Sequence, residues 1–232
     1  MRDPFVLYGG TFDPIHLGHL AIAKAARDIL GTTIRLMPAA DPPHRPPPGA
    51  GAAERAAMLE LAIAGEPGLV VDLRELRREE PSWSVETLRD LRREIGQSRP
   101  VALLVGADSF AGLPSWREWR ALFDLAHFVV ANRAGSAIGA GELAPGLAEA
   151  IAGREVDDAD ALRTAPAGAV LYLRQPLHPQ SATAIRAAIA GGEPWQALVP
   201  AAVARYIERH GLYARAAAGD GDINGAPPGA RL

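Results

Sequence analysis

Apolar positions along the chain change period repeatedly, and each change marks an element. Phe5-Val6-Leu7-Tyr8 is a continuous apolar run closed by Gly9-Gly10, which predicts a buried strand and a tight turn. From Leu17 to Leu30 the period lengthens. Leu20, Ala23, Ile29 and Leu30 predict the buried stripe of a helix, Lys24, Arg27 and Asp28 lie on its other side, and Gly31 ends it. Thr33-Ile34-Arg35-Leu36-Met37 reads as a second strand, 53–65 as a helix with Met58, Leu59, Leu61 and Ile63 in the core, and 69–72 as a third strand. A helix opens around Pro81-Ser82-Trp83-Ser84, with Ser82 or Ser84 able to cap it and Val85, Leu88 and Leu91 on its buried side. Val101-Ala102-Leu103-Leu104-Val105 is the clearest buried parallel strand, Ala126–Ala131 and Ala169–Leu173 follow, and helices are predicted over 181–190 and 200–210. This alternation predicts an α/β fold, a Rossmann-like doubly wound parallel sheet with a small helical C-terminal part over 181–213.

Four stretches break the pattern. Pro42-Pro43-His44-Arg45-Pro46-Pro47-Pro48 cannot be helix or central strand and reads as a stiff loop at the sheet edge. Glu75–Glu80 is a charge run expected to be a solvated connector. The Ala-, Gly- and Asp-rich stretch 136–167 predicts one amphipathic helix, through Leu143, Leu147 and Ile151. Residues 215–232 read as a disordered tail, which leaves 1–214 as a single domain.

Composition narrows the chemistry. A chain of 232 residues, 48% hydrophobic, is long enough for one substantial core. A net charge of −3 gives no general attraction for nucleic acid or an anionic membrane, so any phosphate site must be local. The absence of cysteine excludes disulfides, thiolate ligands and a cysteine nucleophile. No apolar run is long enough to span a bilayer, and the glycine turn arrives too early for a signal peptide; a cytoplasmic location is expected. Lys24 is the sole lysine, so no P-loop lysine exists elsewhere.

A strand, glycine turn and helix in a parallel sheet place the helix amides at the carboxyl edge, where they favour phosphate. His16 and His19, three apart at that helix start, can both face the crevice. The Gly-x-Gly-x-x-Gly dinucleotide spacing is absent, and zinc is a weaker reading of the pair because no third ligand is evident nearby. Asp108, at the end of the central strand, lies either in the crevice or at a helix cap. Ser181, Thr183 and Arg186 are singly a cap, a cap and an exposed residue; together they bring two hydroxyls, helix amides and a guanidinium toward one anion.

The run Gly9-Gly10-Thr11-Phe12-Asp13-Pro14-Ile15-His16-Leu17-Gly18-His19 resembles the signature of the His-x-Gly-His nucleotidyltransferases, specifically the bacterial nicotinate-nucleotide adenylyltransferase family. Gly106-Ala107-Asp108-Ser109, Pro114-Ser115-Trp116 and Ser181-Ala182-Thr183-Ala184-Ile185-Arg186 match further motifs of that family in order, and the resemblance runs from about residue 5 to 213. It implies adenylyl transfer from ATP to nicotinate mononucleotide, with Mg²⁺ accompanying ATP and no metal site of the protein's own. It further implies catalytic roles for His16, His19 and Arg186, and phosphate or ATP contacts from Gly9, Gly10, Thr11, Arg45, Asp108, Arg133, Ser181 and Thr183. Nicotinate is expected at Ser84 and Val85, through main-chain groups, and at Trp116, whose indole stacks on the pyridine ring. Trp83 and Ser84 stand where the family has Tyr and Thr, Ala134 replaces the proline of Arg-Pro-Gly, and Gln180 replaces an apolar residue outside the contacting positions. Relatives with the same motifs use nicotinamide mononucleotide, phosphopantetheine or CTP-dependent substrates; an inactive nucleotide-binding regulator is the alternative of a different class.

Overall fold

The computed structural model describes residues 2–40, 49–78, 83–131, 143–176 and 178–214. Arg45, Ser82, Arg133 and the stretch 215–232 lie outside them. Chain order is β1 (Phe5–Gly10), α1 (Leu17–Leu30), β2 (Ile34–Pro38), α2 (Ala52–Ile63), β3 (Leu69–Val71), α3 (Ser84–Ile95), β4 (Val101–Gly106), α4 (Ala107–Ala111), α5 (Leu122–Leu125), β5 (His127–Ala131), α6 (Pro145–Ile151), β6 (Glu155–Val156), β7 (Val170–Leu173), α7 (Ala182–Gly191) and α8 (Ala201–His210). The strands form one sheet in the order β3-β2-β1-β4-β5-β7-β6. Every pairing is parallel.

From β1 the chain winds outward through β2 and β3, then returns to β1's other side at β4 and winds the opposite way. That reversal opens a crevice at the carboxyl ends of β1 and β4, the place where doubly wound sheets bind ligands. Side chains alternate across the sheet as the pleat requires. Val6 and Tyr8 of β1, with Ala102 and Leu104 of β4, face a layer built from α1, α2, α7 and α8. Phe5, Leu7, Val101, Leu103 and Val105 face the layer of α3, α4, α5 and α6. Burial on both faces explains why these strands read as unbroken apolar runs.

Several expectations change. Ile29 and Leu61 are exposed, while Ile22 and Ala26 fill the buried face of α1. Trp83, not Ser84, occupies the cap position of α3 and makes no side-chain capping bond. The Ala- and Gly-rich stretch contributes strand β6 and a 3-10 turn over Ala159–Arg163, besides the predicted helix α6. The largest correction concerns the charge run. Glu75 is 4% exposed and accepts a 2.8 Å bond from Thr87 Oγ1, and Arg78 donates to the same hydroxyl and pairs with Asp90. Burial pushes the Glu75 carboxyl above the usual carboxylate range. A charge is legible in sequence, but the partner that makes its burial tolerable is not.

His127 opens β5 inside the core and is fully buried. Its Nδ1 accepts from Ala169 N at 3.0 Å, so Nε2 carries the proton toward Ala165 O at 2.9 Å. Protonating Nδ1 would set two donors against each other, and burial holds the imidazole below its ordinary value of 6.5. Below that value the unfolded chain takes up a proton that the folded chain resists. Stability is therefore expected to fall as the pH drops below 6.5, and to be fully present above it. Urea midpoints measured between about pH 7.5 and 5.5 should show this slope in the wild type and a shallower one in His127→Gln; equal slopes would refute it.

Candidate active site

The crevice is shaped first by the turn between β1 and α1. Phe12 adopts φ +50°, and its ring lies beneath Gly10, where a Cβ would sit 2.9 Å from it. Only glycine fits there. His16 caps α1: its Nδ1 accepts from His19 N at 3.3 Å, and His19 Nδ1 accepts in return from His16 N at 3.4 Å. With both Nδ1 atoms used as acceptors, each neutral ring carries its proton on Nε2. The two rings stack with centroids 3.7 Å apart and planes 22° apart, and Phe12 meets His19 edge-on at 5.1 Å. A Cβ on Gly18 would approach the His16 ring to 3.1 Å, which gives the glycine between the two histidines a steric reason.

Both rings line a cleft of about 610 Å³, reached also by Gly9, Gly10 and Thr11. The opposite wall is the start of α7. Ser181 holds the cap position without a side-chain capping bond, and it lines the cleft together with Thr183 and Arg186. Two helix N-termini thus meet at one cavity with a guanidinium beside them, an arrangement suited to a polyphosphate. His178 and Gln180 line the same cleft, so Gln180 does not lie outside the site as its sequence position implied.

Two buried residues to which the sequence assigns no role brace the cleft from behind the β1–α1 turn. Asp13, 4% exposed, accepts from Gly49 N at 2.8 Å, Ala50 N at 3.0 Å and the Tyr213 hydroxyl at 2.7 Å. Arg55, fully buried, donates to Thr11 O at 2.9 Å, Ala39 O at 2.7 Å and Ala50 O at 3.3 Å, joining the ends of β1 and β2 to the start of α2.

The model of the cytidylyltransferase-like family matches residues 7–188, a span that contains the cleft's histidines and Arg186. A protein of Stenotrophomonas maltophilia named "Probable nicotinate-nucleotide adenylyltransferase" is 57% identical over 216 residues, covering 90% of this chain and 96% of that protein. The chain belongs to that adenylyltransferase family. A relative of the same name from Chromohalobacter salexigens is 45% identical over 210 residues, covering 90% of this chain and 94% of its own. The nicotinic acid mononucleotide adenylyltransferase of Plasmodium falciparum, solved in complex with NaAD, shares the fold at a TM-score of 0.69 and 15% identity, over 91% of this chain and 98% of that one.

The other positions expected from the adenylyltransferase resemblance divide into two groups. Asp108 is exposed on the first turn of α4, between Gly106 and Ser109, which do line the cleft. Ser84, Val85 and Trp116 are not among the residues lining it. Val85 is fully buried, and Trp116 is half-buried against the layer of α3 to α6. The start of α3 and the Trp116 turn are nonetheless neighbours: Arg117 lies 5.6 Å over the Trp83 ring, and Arg89 of α3 bonds Glu118 at 2.5 Å. Trp119 packs edge-on to Phe123 at 6.4 Å, as a core-facing residue.

Proposed function

We propose that this chain transfers the adenylyl group of ATP to nicotinate mononucleotide, giving nicotinate adenine dinucleotide and pyrophosphate in NAD biosynthesis. The observation that carries the assignment of roles is the stacked His16–His19 pair facing Thr183 and Arg186 across one cleft. A 5′-phosphate oxygen of the mononucleotide forms a bond to the α-phosphorus, and the bond from that phosphorus to the α,β-bridging oxygen breaks. The nucleophile is already an anion, so catalysis consists of alignment and neutralisation of developing charge, with no general base. Gly9, Gly10 and Thr11 contact phosphate, His16 and His19 donate to the α- and β-phosphate region, and Ser181, Thr183 and Arg186 receive the departing pyrophosphate. Asp108 serves the adenylate ribose, Arg45 and Arg133 approach the substrates, and Ser84, Val85 and Trp116 take the nicotinate ring. Among the described residues no group of three His, Cys, Asp or Glu side chains forms a metal cage, and Asp13 is committed to its own partners. Mg²⁺ enters bound to ATP, as part of the substrate.

Pyrophosphate release from MgATP, with nicotinate mononucleotide, nicotinamide mononucleotide and phosphopantetheine compared at equal concentration, tests the reading. A strong preference for the acid mononucleotide is expected. Preference for another acceptor would overturn the substrate, and nucleotide binding without release would favour a regulator.

A further inference from the structure

We infer that Asp13 and Tyr213 are positioning residues for Arg186, an inference that rests on the proposed adenylyl transfer for its kinetic consequence. Arg186 Nη1 donates to the main-chain oxygen of Asp13 at 2.6 Å and lies 3.6 Å from its carboxylate, and Nη2 lies 3.4 Å from Thr183 Oγ1. One edge of the guanidinium is thereby fixed, while the side chain still lines the cleft. A fork held on one side by protein has its remaining donors aimed before a phosphate arrives, which cuts the ordering cost of gripping it.

What holds Asp13 decides where that edge sits. Its Oδ2 accepts Gly49 N, and its Oδ1 accepts both Ala50 N and the Tyr213 hydroxyl. Tyr213 comes from the far end of the described chain. After α8 ends at His210 with Gly211 as its cap, the backbone turns through φ +64° at Tyr213 and brings the ring beside Asp13 and Gly49. That ring covers Gly49 so closely that a Cβ there would sit 2.9 Å from it, and 3.4 Å from Arg186 Cδ. Burial and the Asp13 carboxylate push the Tyr213 phenol well above its ordinary value, so it is a permanent proton donor to Asp13. Tyr213 is not among the residues lining the cleft, so its effect on the reaction passes through Asp13 and Arg186.

The test is a double-mutant cycle of Tyr213→Phe and Arg186→Ala, read twice: as kcat and KM for pyrophosphate release, and as equilibrium binding of inorganic pyrophosphate by calorimetry. Tyr213→Phe keeps the ring over Gly49 and removes one hydrogen bond. It should lower kcat and weaken pyrophosphate binding by about fivefold, leave KM for the mononucleotide within about twofold, and add nothing in the Arg186→Ala background. A similar loss in both backgrounds, no loss in either, or no pyrophosphate binding by the wild type would overturn the inference. If no acceptor supports release but the binding cycle shows the expected coupling, the reaction assignment fails while the positioning role stands.

Discussion

His19→Ala is expected to lower kcat for pyrophosphate release by about 10²–10³-fold and to leave KM for nicotinate mononucleotide within about twofold. The side chain is assigned one donor, Nε2–H, because its Nδ1 is occupied by the main chain of His16. The ring is held against movement by His16 at 3.7 Å and Phe12 at 5.1 Å, so the donor is in place before charge develops on the phosphates. Alanine also removes half of the reciprocal cap on α1, which should cost about 1 kcal/mol of stability. His19→Asn separates the two effects, since its amide oxygen can cap but its amide group is too short to replace the imidazole donor. Stability should recover in that variant and turnover should not. An unchanged kcat with a raised KM in His19→Ala would refute the transition-state role.

Arg55→Met is expected to cost about 2–4 kcal/mol of folding stability. Methionine fills similar apolar volume but leaves the carbonyls of Thr11, Ala39 and Ala50 without their donor, in a place closed to water. Arg55→Lys should recover little, because an ammonium is a compact point charge and lacks the guanidinium fork whose Nε and Nη1 reach these three carbonyls together. The urea midpoint decides the matter, and a loss under about 0.5 kcal/mol would show that the carbonyls find other partners. The same substitution loosens Thr11, so turnover should fall alongside stability.

Both predictions turn on residues whose sequence signals differ in kind. His19 stands within a run of eleven residues that also supplies the strand end, the glycine turn and the helix start. Arg55 stands in an ordinary amphipathic helix, and its periodicity marks it only as a charged residue beside buried ones. Glu75 misleads in the same way, since five charges in six residues read as solvated although the first of them is enclosed. Gln180 looked incidental to the phosphate motif because its approach to Gly18 is a matter of packing between α1 and the chain entering α7.

Local patterning by itself determined β1 to β5 and β7, the helices α1, α2, α3, α6, α7 and α8, the β1–α1 turn with its two histidines, and the sequence cluster Ser181, Thr183 and Arg186. Those features depend on residues within a few positions of one another, where backbone freedom, capping and periodicity act. The tertiary structure alone decided that α7 faces α1 across one cleft, that Arg55 bridges two strand ends, and that Tyr213 reaches Asp13 across 200 residues of sequence. A buried charge or hydroxyl is tolerated only when distant partners satisfy it, and those partners are set by how the sheet winds.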